Sequence, residues 1–258
     1  MEHDGSQPTS VARAGEQVVV VVAHPDDETF GCGSLIAQAV ADGARVRVIC
    51  CTRGEAGERV PDPTTDHLPL GDVREAELRA AGEVLGVERI DLLPHADSGF
   101  DGDLAPGTLC AVPVEQLADD LATRFAELGP DVVVVLDGSD GHRDHLHVLA
   151  AVQEATARPG AAPVRLVQTS LPNSIMRLWV EEMRATRPDT VYLELDVDAL
   201  GRPDAELTEI DTSAVLATRE QAIACHRSQH TPFDGLSPDL RRAFLATTHV
   251  TIDEVGPA

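Results

Sequence analysis

Five consecutive valines at residues 18–22 form the clearest hydrophobic run of the chain. An unbroken β-branched run of this length is typical of a strand buried on both faces, as in a parallel sheet. Similar short runs predict strands at residues 45–51, 89–93 and 132–136. Apolar residues spaced three and four positions apart predict a helix after each of these strands. The predicted helices are residues 28–41, 72–85, 115–128 and 145–156.

Strand and helix alternate four times in this prediction, which is the order of a doubly wound α/β protein. We therefore predict a Rossmann-like fold with a mostly parallel sheet flanked by helices on both faces. The pattern is less regular after residue 160, where strands at 164–169 and 191–195 and a helix at 213–228 are predicted. This C-terminal extension is expected to complete the sheet or to cap the site.

The length of 258 residues suits one large domain with a sizeable core. Residues 1–16 are mostly polar and are expected to be a disordered N-terminal segment. Residues 17–258 would then be a single α/β catalytic domain, of which residues 160–258 form the less regular part.

The strongly negative net charge excludes some classes of binding partner. There are 44 acidic residues against 20 basic ones, every basic residue is Arg, and the formal net charge is −24. Such a surface repels phosphate backbones and anionic lipid, so neither nucleic acid nor a membrane is expected as a partner. The absence of Lys excludes a Schiff-base mechanism. No apolar run approaches the ~20 residues that a transmembrane helix needs.

The cysteine pattern indicates whether the protein belongs to a reducing or an oxidising compartment. The chain has an odd number of Cys and no C-x-x-C spacing, so reduced thiols are expected rather than a disulfide framework. The polar, acidic N-terminal residues lack the basic and apolar regions of a signal peptide. Both observations favour a cytoplasmic protein.

Two polar clusters follow predicted strands. The first strand is followed by His-Pro-Asp-Asp-Glu at residues 24–28, and the fourth by a segment rich in Asp and His at residues 137–145. In open α/β sheets, ligands bind at the edge where the carboxyl ends of the strands meet. If the two strands are neighbours, the two clusters converge on one cavity.

The residue types of these clusters suit a catalytic zinc. Such a zinc takes three protein ligands from His and carboxylate groups and keeps one position for water. His24 and Asp27 can supply two ligands from a tight turn, and His145 can supply the third. Fe²⁺ or another divalent metal accepts the same ligand types. Asp26 is then free to take the proton of the attacking water.

His142 lies three residues before His145, near the metal without being required to bind it. It could protonate the leaving nitrogen or stabilise the oxyanion, with Asp144 holding its ring in one orientation. The alternative for both clusters is structural, because acids after a strand can cap the following helix and loop histidines can be solvated. Two clusters that each end a buried strand and each mix His with Asp favour the metal site.

The clusters also resemble the motifs of a known family. Residues 23–28 and the pattern His142-x-Asp144-His145 are similar to those of the LmbE/PIG-L family of zinc-dependent N-acetylglucosaminyl deacetylases. The resemblance covers most of residues 17–150, with a weaker match in the C-terminal part. Other segments that resemble the family are residues 52–57, 74–78, 97–100 and 226–229.

This resemblance assigns the chemistry to five residues. It implies that His24, Asp27 and His145 bind zinc. It also implies that Asp26 is the general base and that His142 is the electrostatic or acid partner.

The resemblance further implies that Arg74 and Asp97 contact the sugar. From the residues alone, Arg74 could equally be a surface partner of Glu75 or Glu77 on its helix, and Asp97 could merely start a turn. His226 lies in a segment similar to a C-terminal family element, and a structural role is favoured for it.

Arg143 departs from the family pattern, which usually has Pro between the His and the Asp of the second motif. The change removes a rigid φ and adds a positive charge at the rim of the site. It leads us to expect that Arg143 contacts the substrate and that the favoured substrate carries a negative group.

Together these features predict a metal-dependent hydrolase that removes an acetyl or other acyl group from an amino sugar of the N-acetylglucosamine type. The partner is then a small-molecule amino sugar, and homo-oligomerisation is left open. One alternative is amidase action on a larger acyl group, as in mycothiol-conjugate amidases, and another is a non-catalytic sugar-binding protein. A nucleotide-binding protein is disfavoured, because acids occupy the turn where a glycine-rich phosphate loop would lie.

Overall fold

One sheet of seven strands forms the centre of the computed structural model, which describes residues 10–188, 191–194 and 196–256. The strand order is β3-β2-β1-β4-β5-β7-β6. The strands are β1 (Gln17–Val22), β2 (Arg45–Cys50), β3 (Arg89–Leu92), β4 (Val132–Leu136), β5 (Val164–Ser170), β6 (Thr208–Asp211) and β7 (Thr247–Val255).

Strands β1 to β5 are parallel to one another, whereas β7 runs antiparallel to both β5 and β6. The predicted α/β fold with a mostly parallel sheet is therefore confirmed, and the part of the chain after residue 160 completes that sheet. The helices are α1 (Asp27–Phe30), α2 (Gly33–Ala41), α3 (Leu70–Leu85), α4 (Val114–Leu128), α5 (Arg143–Ala157), α6 (Asn173–Thr186), α7 (Leu216–Ile223) and α8 (Pro238–Ala246).

The valine run of β1 is buried on both faces, as its composition predicts. Val18, Val20 and Val22 pack with residues of α2 and α3 on one face of the sheet. Val19 and Val21 pack with residues of α4 and α5 on the other. Side chains alternate between the faces of a strand, so a strand between two helix layers needs apolar residues at every position.

A third apolar cluster lies outside the two faces of the sheet. It joins side chains of α6 and α8 with residues of the loop before α8, among them Trp179, Phe233 and Phe244. These residues also border the cavity described below, so the C-terminal part of the chain both extends the sheet and covers the site.

Three predicted elements differ in the structure. The helix predicted at 28–41 is broken into α1 and α2, and a Cβ at Gly31, between them, would lie 3.1 Å from the side chain of Leu136. The strand predicted at 191–195 is wrong, since Val191–Glu194 form a 3-10 turn and residue 195 lies outside the described residues. The strand that pairs with β7 at the edge of the sheet is β6 instead.

The helix predicted at 213–228 is longer than the observed one, since α7 spans only Leu216–Ile223.

The ordered chain begins before β1. Residues 1–9 of the predicted disordered segment lie outside the described residues. Val11 and Ala12, however, are each only 4% exposed and belong to the core on the α2 side of the sheet. Apolar burial therefore holds these two residues of the segment against the core.

From the composition we expect reduced cysteines and no transmembrane helix. All five cysteines are free thiols, and three of them are buried. Within the described ranges, no helix combines the length and the hydropathy that crossing a bilayer requires.

Candidate metal centre and active site

The loops after β1 and β4 lie side by side at the carboxyl edge of the sheet, because these two strands are neighbours. At β1 the strand order changes direction, with β2 on one side and β4 on the other. Ligands of open α/β sheets bind in the crevice at such a switch point. The two polar clusters of the sequence therefore meet at the position where a ligand site is expected.

Three imidazole rings come together in this crevice. Ring nitrogens of His24, His142 and His145 lie within 4.8 Å of one another. Asp27 Oδ2 lies 3.4 Å from His24 Nδ1 and 3.2 Å from His145 Nε2, so that one carboxylate oxygen faces two ring nitrogens. The structure thus brings the three predicted ligands together, with His142 beside them, and this group can hold a metal ion.

His145 indicates how well the cluster suits a cation. Its Nδ1 lies 2.7 Å from Asp140 Oδ2, while its buried Nε2, 3.2 Å from Asp27 Oδ2, does not have the geometry of a hydrogen bond to any described residue. Burial alone would lower the pKa of His145, but the carboxylates of Asp140 and Asp27 outweigh burial and raise it to about 10. Positive charge is therefore favoured between these carboxylates, where a divalent cation can replace the proton and also satisfy Nε2.

Asp144 orients His24 rather than His142, which corrects its predicted role. Its Oδ2 accepts a hydrogen bond from His24 Nε2 at 3.0 Å and another from the backbone N–H of Ser98 at 3.0 Å. Only the backbone N–H of Asp144 reaches His142, at 3.2 Å from Nδ1. Burial would raise the pKa of Asp144, but hydrogen bonds from His24, Cys110 and Ser98 lower it. A carboxylate of this kind fixes the ring of a metal ligand and raises its basicity.

Asp26 stands apart from the ligand cluster in an unusual backbone conformation. Its φ of 109° is the only positive φ of a non-glycine residue in the described part of the chain. Conformations of this kind cost about 1–3 kcal/mol and persist where surrounding contacts hold them. Arg74 Nη2 lies 2.9 Å from Asp26 Oδ2. Burial raises the pKa of Asp26 to about 6, with Asp27 adding to the increase and Arg74 opposing it.

A buried ion pair between Glu28 and His226 supports the turn that contains Asp26. Glu28 Oε2 accepts a hydrogen bond from the backbone N–H of Asp26 at 2.8 Å, and Glu28 Oε1 accepts one from His226 Nε2 at 2.7 Å. Neither side chain of the pair is exposed. His226 has the structural role that was favoured for it, whereas no pattern in the sequence pointed to Glu28 as its partner.

Replacing His226 by Ala is expected to lower the free energy of unfolding by about 3–5 kcal/mol, because Glu28 would remain buried without its cationic partner. Urea unfolding measures this change. Replacing the exposed His67 by Ala is the matched control and should change the unfolding free energy by less than ~0.5 kcal/mol. A loss below about 1 kcal/mol for the His226 variant would show that the pair is not structural.

The same pair predicts a pH dependence. Burial alone would lower the pKa of His226, but Glu28 outweighs burial and raises it. The ionic part of the stabilisation is then complete below the ordinary His pKa of ~6.5 and is lost as the pH rises through the folded-state pKa. The difference in unfolding free energy between wild type and the His226 variant should therefore decrease as the pH is raised.

His142 is the N-cap of α5, and its Nδ1 accepts the backbone N–H of Asp144. Its neutral form must then carry the ring proton on Nε2, which makes Nε2 a hydrogen-bond donor. Burial and, after it, the neighbouring rings of His24 and His145 together lower the pKa of His142 to about 4. The residue is thus suited to donate a hydrogen bond as a neutral imidazole.

Arg74 and Asp97 both lie at the site and border its cavity. Arg74 is only 3% exposed and donates hydrogen bonds to the carbonyls of Gly54 and Pro25, so a surface role on α3 is excluded. Asp97 closes a turn by accepting the backbone N–H of Gly99 at 2.8 Å. Asp97 Oδ2 accepts the backbone N–H of Ala56 at 3.3 Å, and His24 Nε2 lies 3.4 Å from Asp97 Oδ1.

Arg143 does not border the cavity, which corrects its predicted contact with substrate. Its guanidinium instead donates hydrogen bonds to backbone carbonyls of one loop, with Nε to Gly99 at 2.8 Å and Nη1 to Gly102 at 2.9 Å. Nη2 binds the carbonyls of Ser98 and Asp101. Arg143, which stands where the family usually has Pro, thus stabilises the loop at 98–102 through its guanidinium. The expectation of a negatively charged substrate rested on a substrate contact of Arg143, so it has no support from this geometry.

A cavity of about 660 Å³ opens onto the ligand cluster. It extends along the carboxyl edge of the sheet, from the loops after β2 and β3 to the ends of β5 and β7, beneath α6 and α8. Its floor is polar and includes Asp97, Asp137 and Asp140, while Trp179 and Phe233 contribute apolar surface. A concave cavity with a few convergent polar groups is typical of a small-molecule site.

Comparisons with known proteins agree with this geometry. A family model described as PIG-L, GlcNAc-PI de-N-acetylase, matches residues 19–156. A relative from Thermobispora bispora is 34% identical over 272 residues, which cover 95% of this chain and 90% of the relative. That relative is a 1D-myo-inositol 2-acetamido-2-deoxy-alpha-D-glucopyranoside deacetylase.

Solved structures share the fold at lower identity. A teicoplanin deacetylase in its zinc-inhibited form aligns with a TM-score of 0.61 at 19% identity, over 92% of this chain and 98% of that one. A 4-carboxy-2-hydroxymuconate hydratase from Pseudomonas putida also aligns with a TM-score of 0.61, at 18% identity, over 92% of this chain and 95% of that one. The fold alone therefore does not specify the reaction. The family match and the sequence identity to relatives do identify the chain, which belongs to the PIG-L family of de-N-acetylases.

Proposed function

We propose that this protein is a zinc-dependent hydrolase that removes the acetyl group from the nitrogen of an N-acetylglucosamine glycoside. One observation carries the proposal. His24, Asp27 and His145 face one another as a possible ligand set, while the adjacent carboxylate of Asp26 is held apart by Arg74. A metal hydrolase needs this combination of a ligand set and a separate base.

The donor set fits the metal. Two imidazole nitrogens and one carboxylate oxygen are a common ligand set of catalytic zinc, and Asp140 and Asp144 support the two rings from outside. Zn²⁺ held there would polarise the amide carbonyl and lower the pKa of the attacking water towards ~7. Fe²⁺ accepts the same ligand types, so elemental analysis has to identify the metal.

Asp26 takes the proton of the attacking water and then returns it to the departing amine. Its raised pKa of about 6, caused mainly by burial, suits both steps. The contact with Arg74 and the hydrogen bond from its backbone to Glu28 keep the carboxylate in place. His142 donates from Nε2 to the oxyanion that forms on the carbonyl oxygen, and it does so as a neutral imidazole.

The proposed substrate follows the family relatives. The 34% identity over nearly the whole chain supports an N-acetylglucosaminide of an inositol. Arg74 and Asp97 both border the cavity and are proposed to contact the sugar, and Arg74 also holds the carboxylate of Asp26. Residues 17–258 are proposed to act as a single catalytic domain.

An acetate-release assay tests this function. The purified, zinc-loaded protein should release acetate from 1D-myo-inositol 2-acetamido-2-deoxy-α-D-glucopyranoside faster than from free N-acetylglucosamine, since remote contacts supply transition-state binding. The matched substrate carries a longer acyl chain on the same nitrogen. Faster cleavage of that substrate would identify an amidase for larger acyl groups. Binding without cleavage of either one would indicate a sugar-binding protein.

A further inference from the structure

The cavity has a second polar region beyond the metal cluster. Asp137 directly follows β4, Ser170 is the last residue of β5, and His249 lies on β7, and all three border the cavity. In the sheet register, Leu136 pairs with Thr169, and Ser170 pairs with His249. Paired residues share a face and successive residues alternate, so these three polar residues lie side by side on one face of three adjacent strands.

Two atoms of this region lack a hydrogen-bond partner among the residues that the structure describes. They are Asp137 Oδ2 and Ser170 Oγ, and both are buried. Ser170 as a whole is 6% exposed. Buried polar groups without a partner destabilise a fold, and native structures keep few of them. Both residues border the cavity, where a bound ligand could complete the hydrogen bonds of these atoms.

The second oxygen of Asp137 shows that the carboxylate is held in place. Asp137 Oδ1 accepts hydrogen bonds from the backbone N–H of Ser139 at 2.9 Å and from its hydroxyl at 2.7 Å. Oδ2 is therefore a positioned acceptor rather than a mobile one. A carboxylate oxygen accepts a hydrogen bond from a hydroxyl, and a serine hydroxyl both donates and accepts one.

We propose that Asp137 and Ser170, flanked by His249, form a subsite that binds hydroxyl groups of the ring attached to the amino sugar. The inference rests on the proposed function, and it assigns recognition of the attached ring to these residues. An apolar group would leave both atoms unpaired, and an anionic group would be repelled by Asp137. Hydroxyl groups satisfy both atoms.

Two substitutions test the subsite. Asp137→Asn keeps Oδ1 and its bonds to Ser139 while replacing Oδ2 by a donor, and Ser170→Ala removes only an unpaired hydroxyl. Each should lower kcat/KM for the inositol N-acetylglucosaminide by about 10-fold, mainly through KM, and change it less than about 2-fold for methyl N-acetylglucosaminide. Asp101→Asn, which removes the same charge from the other flank of the cavity, should affect neither substrate. Equal losses with both substrates would overturn the proposal.

Two further measurements do not depend on turnover. The chain has a single tryptophan, Trp179, and it borders the cavity, so its fluorescence can report binding of the deacetylated inositol glycoside and of methyl glucosaminide to metal-free protein. Both variants should weaken binding of the first ligand and leave binding of the second unchanged. Ser170→Ala should keep or raise the melting temperature, and a clear decrease would show that the hydroxyl has a structural partner instead. Selective binding without acetate release in wild type would retain the subsite and reject the proposed function.

Discussion

Replacing Asp26 by Asn is expected to lower kcat by about 10²–10⁴-fold, because the variant cannot accept the proton of the attacking water. Asn is among the residues that tolerate a positive φ, so the backbone of the turn should be preserved. Asn also keeps an oxygen that can face Arg74. Steady-state kinetics of zinc-loaded wild type and variant measure the loss, which should fall on kcat rather than on KM.

The control for this variant is its metal content. Asp26 lies outside the proposed ligand set, so elemental analysis should give the same one ion per chain as in wild type. If the Asn variant instead loses the metal while its loaded fraction turns over normally, Asp26 is a ligand and the roles of Asp26 and Asp27 are exchanged.

His145→Ala is expected to abolish both metal binding and activity. The substitution removes the ring that faces Asp27 at 3.2 Å and that Asp140 supports at 2.7 Å. Elemental analysis should find close to no metal after dialysis, whereas wild type should retain one ion per chain. Chelation of wild type should abolish activity in the same way, and added Zn²⁺ should restore it.

His147→Ala is the matched control, since His147 is two residues further along α5 and outside the ligand group of the described chain. It should keep both metal and activity. Full activity of wild-type protein shown to be metal-free would contradict the metal hydrolase altogether.

The pattern of residue types was sufficient to predict the central sheet and the position of the site. The valines of β1 predict a strand buried on both faces, and the observed packing of alternate valines on opposite helix layers follows from the same period of two. The sequence placed the candidate ligands together because they follow the carboxyl ends of two strands. His24 and Asp27 follow β1, and His145 follows β4. This placement requires β1 and β4 to be neighbours, and they are paired in the sheet.

Predictions that depended on which side chains touch were less successful. Asp140 and Asp144 both precede His145 by a few residues, and the sequence offered no means of deciding which carboxylate supports which ring. The structure pairs Asp140 with His145 and Asp144 with His24. His24 lies 120 positions from Asp144 in the chain, so only the packing of α5 against the loop after β1 decides this contact.

The sequence by itself determined the fold class, the edge of the sheet that carries the chemistry and the identity of the candidate ligands, because these follow from local periodicity and from motifs of a few residues. Only the tertiary structure decided that Arg143 binds the loop at 98–102 instead of substrate and that Glu28 and His226 support the turn of Asp26. It also decided that Asp137 Oδ2 and Ser170 Oγ have no hydrogen-bond partner among the described residues. Hydrogen bonds form between groups that lie within about 3 Å. That distance between residues far apart in the chain is set by the packing of several elements at once, which no local pattern contains.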